Sequence, residues 1–167
     1  VILYKTVMEE AEAEQTIEKS RFISHIKPVT SKEAAEEFIA EIRASYKTAT
    51  HNVPAFVIGN KMQLQWASDD GEPQGTSGAP IVQMLVKEGI TNVAVVVTRY
   101  FGGIKLGTGG LVRAYTSSAK LALEAAGIAD VREMLVLEVR MAYSYLAKMK
   151  NLAGEFFSVE NISYTDS

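Results

Sequence analysis

The chain has 167 residues, 47% of them hydrophobic and 22% charged, and a formal charge of −3; that size and balance suit one ordinary soluble domain, or one with a small appendage, with a core that needs no covalent staples. The absence of cysteine excludes disulfides, iron–sulfur clusters and thiolate zinc sites, and points to a reducing compartment. No apolar run approaches a membrane span, and "VILYKTVMEEAEAEQ" lacks the layout of a secretory signal, which predicts a cytoplasmic protein with no membrane partner.

Along the chain, "SRFISHIKPV" has the residue types of a strand. "TSKE" then reads as a capping box with Thr30 as cap and Glu33 three positions on. It opens a helix over about Ser31 to Tyr46, because Ala34, Ala35, Phe38, Ile39, Ile42 and Tyr46 recur at helical spacing. "VPAFVI" and "KMQLQW" flank Gly59-Asn60, which suits a two-residue hairpin turn, and Met62, Leu64 and Trp66 alternate as in a half-buried strand. A Gly- and Pro-rich loop, "DDGEPQGTSGAP", precedes a short helix from about Pro80 to Glu88. "NVAVVVTRY" predicts a strand buried on both faces, followed by the glycine-rich "RYFGGIKLGTGGLVRAY", which holds five of the chain's twelve glycines. Leu111, Ala114, Tyr115, Ser118, Leu121, Ala122 and Ala125 then form a helical stripe that Gly127 closes. After a break near Ile128–Arg132, "MLVLEVRMAY", "SYLAKMKNLAG" and "FFSVENISYTD" read as strand, helix and strand, too short a unit to fold independently and expected to be part of a second domain.

Charge is unevenly placed. From Gly89 to Leu123 there is no acidic residue, while Arg99, Lys105, Arg113 and Lys120 are basic, so the rest of the chain carries −7. A basic island at a glycine-rich helix start suits an anion, since helix amino termini offer unpaired N–H groups and partial positive charge. Candidate binding residues are therefore Arg99, Tyr100, Lys105, Thr108, Gly109, Gly110 and Arg113, with Thr108 as helix cap. Neither nucleotide fingerprint is present: the phosphate-loop order is absent, and Val112 stands where the dinucleotide pattern needs glycine or alanine. An alternative is that these glycines serve only sharp turning and close packing.

The other loop offers Asp69, Asp70 and Glu72, with Thr76 and Ser77 nearby. These acids suit pairing with the basic loop; a hard metal ion or acid–base chemistry is the alternative. Ser77 fails the nucleophile-elbow pattern because Ala79 stands where glycine is required. His51 is a possible accessory to the site and His25 a structural residue. Trp66, Tyr100, Phe101 and Tyr115 could stack nucleic-acid bases or could simply be buried.

Taken together, "HN" at 51–52, "ASDDGEPQGTSGAPI" at 67–81 and "TNVAVVVTRYFGGIKLGTGGLVRAY" at 91–115 resemble the IMPACT family (bacterial YigZ-type proteins), and "EKSRFISHIKPV" at 18–29 resembles its opening strand. Bacterial members commonly carry a cysteine after His-Asn; Val53 stands there, so no thiol role is implied. The resemblance implies an α+β fold: residues 1–130 as a two-layer sandwich like that of a ribosomal small-subunit protein and domain IV of elongation factor G. Residues 131–167 would then be an incomplete ferredoxin-like domain, similar to domain V of that factor. Small-molecule kinases share the sandwich, as an analogy of fold alone. The eukaryotic relative is linked to translational control by an interaction seated in another segment, which is not carried over. The expectation is a non-enzymatic regulator or accessory of translation, without cofactor, resident metal or catalytic residues. It would bind RNA, the ribosome, a translation-associated protein or a phosphate-bearing ligand at the corner of the two loops. The acids would orient the basic groups or hold a cation. A metal-assisted phosphoryl-transfer or hydrolytic enzyme, using Asp69 or Asp70, and a plain protein-interaction module are the alternatives.

Overall fold

A computed structural model describes residues 1–166, and the chain divides into two compact units, Val1–Glu133 and Met134–Ser167. In the first, strands β2 (Ala11–Ile17), β3 (Ser20–Pro28), β4 (His51–Ile58), β5 (Leu64–Ala67) and β6 (Val93–Tyr100) form one antiparallel sheet in the order β2-β3-β6-β4-β5. Strands β1 (Ile2–Val7) and β7 (Ile128–Arg132) pair antiparallel by themselves. The helices are α1 (Lys32–Ser45), α2 (Gly78–Lys87) and α3 (Gly107–Ala126).

Central strand β6 sets the architecture. Val93, Val95 and Val97 enter a core shared with α2 and α3, whereas Ala94 and Val96 enter a second core with Phe38 and Ile39 of α1. Neither face meets water, so the strand is apolar without alternation. The class is α+β, as the resemblance implied, with one difference: α1 lies opposite α2 and α3, so the sheet sits between helices rather than carrying them all on one side. On α3, the small residues Ala114, Ser118, Ala119 and Ala122 are buried with Leu111 and Tyr115, whose ring meets Phe22 edge-on at 5.4 Å. Among the described residues no helix is long and apolar enough to cross a membrane.

Local chemistry shifts several expected boundaries. Ser31, not Thr30, caps α1: its Oγ accepts from the Ala34 N–H at 3.1 Å, which leaves Glu33 one position short of a capping box. Residues 59–63 join β4 and β5, instead of a two-residue turn. Asn92 Oδ1 accepts from the Gly59 N–H at 2.8 Å and Thr91 Oγ1 donates to the Gly59 carbonyl at 2.7 Å, pinning the longer connection. Edge strand β5 is less covered than its alternation suggests. Trp66 stacks on Phe56 at 5.3 Å yet stays 44% exposed, because the α1 core ends at Phe56 and Ile58.

Ile128–Arg132, near which a break is expected, is strand β7, the partner of β1, and the two compact units divide just after it, at Glu133. In the second unit, a 3₁₀ turn at Tyr143–Tyr145 leads into α4 (Leu146–Leu152), inside the expected helix. The strands expected in "MLVLEVRMAY" and "FFSVENISYTD" do not form among the described residues; only an isolated bridge joins Ala153 and Phe157. Leu135, Val136 and Phe156 stay exposed, as follows for extended segments with no hydrogen-bonded neighbour.

Candidate functional site

The acidic loop lies between β5 and α2, and each of its carboxylates has a separate task. Asp69 supplies the cap that α2 would otherwise lack. Its Oδ1 accepts from the Gly78 N–H at 3.0 Å, the Ser77 N–H at 3.2 Å and the Ser77 hydroxyl at 2.8 Å, and its Oδ2 accepts from the Gly75 N–H at 2.9 Å. Burial works to raise its pKa, but these hydrogen bonds outweigh it and hold the carboxyl below the usual range. Asp70 Oδ2 accepts from the Asn52 N–H at 2.7 Å, and its Oδ1 faces the Arg43 guanidinium at 3.7 Å. Thr76 turns its hydroxyl onto the Pro73 carbonyl. Ser77 is spent on Asp69, which leaves it neither base nor opening for nucleophilic attack.

Glu72 goes inward. Its side chain is 4% exposed, and Oε1 accepts from Arg99 Nη1 at 2.6 Å and from the Tyr115 hydroxyl at 2.7 Å. Burial and that hydrogen bond push the Tyr115 pKa far up, so the phenol stays a donor. His51 adds a third neighbour. Its Nδ1 lies 2.8 Å from the Asp70 carbonyl, which only accepts, so Nδ1 carries the proton and Nε2 faces Glu72 Oε1 at 3.6 Å. Behind Arg99, Ser20 Oγ takes the guanidinium at 3.2 Å and the Gly102 N–H at 3.3 Å, while Phe22 and Phe101 flank it at 5.5 Å.

Arg99, expected to meet an incoming anion, is therefore turned into the corner and neutralised by Glu72; at 4% exposure it offers nothing to a ligand. Tyr100 is half-buried, with its hydroxyl 3.3 Å from Thr48 Oγ1 and its ring beside Arg21. Of the possible stacking rings, Tyr115 is buried, whereas Phe101 is 46% exposed beside the loop.

The start of α3 is different. Leu106 takes the cap position and provides no side-chain acceptor, so Thr108 lies inside the first turn and does not cap it. Lys105, Thr108, Gly109 and Arg113 are exposed, and Gly110 is half-buried. Arg113 folds back over the turn: a Cβ on Gly109 would stand 3.3 Å from its Nη1. Among the described residues no carboxylate pairs with Lys105 or Arg113. Thus Asp69 closes the amino terminus of α2, while that of α3 stays open next to two free cations.

Several contributors stand outside the two loops. Ser20, Asn52 and Arg43 come from three different elements and are joined to the loops only by the fold. Asn52 was visible as the second letter of "HN", and Ser20 within "EKSRFISHIKPV".

Sheet order and helix placement define an α+β domain with a sealed acid–base corner at Glu72 and Arg99 and an uncapped α3 start carrying exposed Lys105 and Arg113. The chain belongs to the IMPACT family: residues 18–123 match the Impact N-terminal domain, and every residue of the corner and of the α3 start falls inside that span. It is 43% identical to the IMPACT family member YvyE of Bacillus subtilis over 98% of this chain and 76% of that protein. It is 37% identical to the IMPACT family member YigZ of Escherichia coli over 90% of this chain and 72% of that one. The crystal structure of a hypothetical protein superposes with a TM-score of 0.71 at 32% identity, covering 91% of this chain and 75% of the other.

Proposed function

We propose that this protein is a non-enzymatic, translation-related accessory protein that binds RNA, on its own or within the ribosome, through the phosphate groups. The observation that carries this is the uncapped start of α3 with Lys105 and Arg113 exposed and unpaired beside it. Family membership supports the link to translation, and the cysteine-free composition suits a cytoplasmic setting. Lys105 and Arg113 make the charge contacts, Thr108, Gly109 and Gly110 contribute backbone N–H groups and a close approach, and Phe101 offers a face for an unpaired base. The glycine corner built by Glu72 and Arg99 holds this surface in place. The expected ferredoxin-like unit belongs to the same proposal, with exposed Leu135, Val136 and Leu137 as side chains its sheet would cover.

Binding of a short single-stranded RNA, followed by fluorescence anisotropy as salt is raised, tests the site. Phosphate contacts make affinity fall steeply with salt, and losing two of them by Lys105→Ala/Arg113→Ala lowers the magnitude of the log–log slope by about 1.4. Both side chains are exposed, so the melting temperature of the variant stays that of the parent. Affinity indifferent to salt, or a variant with the parental slope, contradicts the assignment.

A further inference from the structure

Between the end of β6 and the start of α3, a large apolar ring stands in solvent on a backbone that is firmly held. Phe101 is 46% exposed. Its N–H donates to Thr50 Oγ1 at 3.0 Å, and the guanidinium carbon of buried Arg99 lies 5.5 Å from its ring centre. The next residue, Gly102, gives its N–H to Ser20 Oγ at 3.3 Å and lies against the Lys19 carbonyl. A ring seated in this way has little freedom left to lose when a flat partner stacks on it.

Sheet order decides what surrounds that ring. Strands β3 and β4 flank β6 and run antiparallel to it, pairing Arg21 with Tyr100 and His51 with Arg99. The turn from β2 into β3 therefore falls on one side of the end of β6, and the loop from α1 into β4 falls on the other. The turn carries Lys19 and the loop carries Lys47, both exposed. The loop is tied to β6 itself: the Thr50 N–H donates to the Arg99 carbonyl at 2.9 Å, and Thr48 Oγ1 lies 3.3 Å from the Tyr100 hydroxyl. Like Lys105 and Arg113, neither lysine has a carboxylate partner among the described residues. Arg21, at the same end, is paired with Glu14, and exposed Glu18 is the acid that stands beside Lys19. Unpaired cations thus come from three directions: the β2–β3 turn, the loop before β4 and the start of α3.

The cations suit any chain of phosphates, and the ring narrows the choice. Paired bases are closed into a stack and offer a protein only their edges and backbone, whereas an unpaired base can be splayed out onto an aromatic face. Resting on the RNA reading given above, we propose that the occupant is single-stranded RNA laid across this end of the sheet. One unpaired base stacks on Phe101, the phosphates on one side of it meet Lys105 and Arg113, and those further along the strand meet Lys19 and Lys47. The helix start supplies affinity for RNA of any kind; Phe101 supplies the preference for unpaired strands.

Fluorescence anisotropy with the full chain, using a short unstructured RNA and a duplex of the same length over a range of salt, tests the path. Each phosphate contact adds about 0.7 to the log–log salt slope for a single strand, so Lys19→Gln/Lys47→Gln lowers its magnitude by about 1.4. Phe101→Ala weakens single-strand binding about 5- to 150-fold, the worth of one stacked base, with the salt slope and the duplex affinity unchanged. Phe101→Trp keeps the single-strand preference, which a merely structural role for the ring would not. A parental slope in Lys19→Gln/Lys47→Gln, or an equal loss of duplex and single-strand binding in Phe101→Ala, overturns the path. Either result leaves the helix-start reading standing as long as Lys105→Ala/Arg113→Ala still lowers the slope; RNA that does not bind at all overturns both.

Discussion

Glu72→Ala lowers the free energy of unfolding by about 3–5 kcal/mol, the range for breaking a buried ion pair on one side only. The loss has two parts. Among the described residues, Arg99, almost wholly buried, keeps Ser20 Oγ as its side-chain hydrogen-bond partner, and the hydroxyl of Tyr115 loses its acceptor. An orphaned buried donor alone costs about 1–3 kcal/mol. Against the total of about 5–15 kcal/mol typical of a domain, this is a large share. Removing both charges is milder: Glu72→Gln with Arg99→Met destabilises less than the sum of the single changes, because no buried charge is left alone. Urea denaturation of the four proteins measures the coupling; additive effects would show that the pair is not a unit.

Gly102→Ala is the second large effect, about 3 kcal/mol or more, from forced overpacking. Gly102 lies against the turn between β2 and β3, and a Cβ there falls on the Lys19 carbonyl group and near the Ser20 nitrogen. Backbone cannot yield as a side chain does, and Glu18 and Lys19 are already held at positive φ, 47° and 62°. Gly109→Ala is the contrast: its Cβ meets only the mobile end of Arg113, and stability holds or rises by up to about 1 kcal/mol from better helix propensity. Thermal melts of the two variants separate a glycine required by close approach from one the fold does not need. Equal losses would contradict that division.

How far the sequence discloses this fold depends on the range of the interaction. Strand β6 and helix α3 declare themselves through five and more apolar residues in register, and α2 through its stop at Gly89. Partners far apart in the chain do not. Nothing in "ILYKTV" announces that it pairs with residues 128–132, and that pairing is why Ile128–Arg132 resembles a break and is a strand. The site divides the same way. Opposite charge on the two loops anticipates Glu72 meeting Arg99, but composition cannot show that Asp69 and Asp70 are taken up by backbone N–H groups. Nor can it show that Lys105 and Arg113 are left unpaired. Trp66 follows a buried pattern and is exposed because helix cover ends before the sheet does, a fact of packing rather than of periodicity.

The central claim is that binding uses the open start of α3 while the neighbouring corner is internal structure. Backbone amide shifts, recorded as a short single-stranded RNA is titrated into the isotopically labelled protein, address it directly. The account predicts progressive shifts at Lys105, Thr108, Gly109, Gly110 and Arg113 that vanish at high salt. Amides that stay still there while others move, or a spectrum that RNA leaves unchanged, would contradict it.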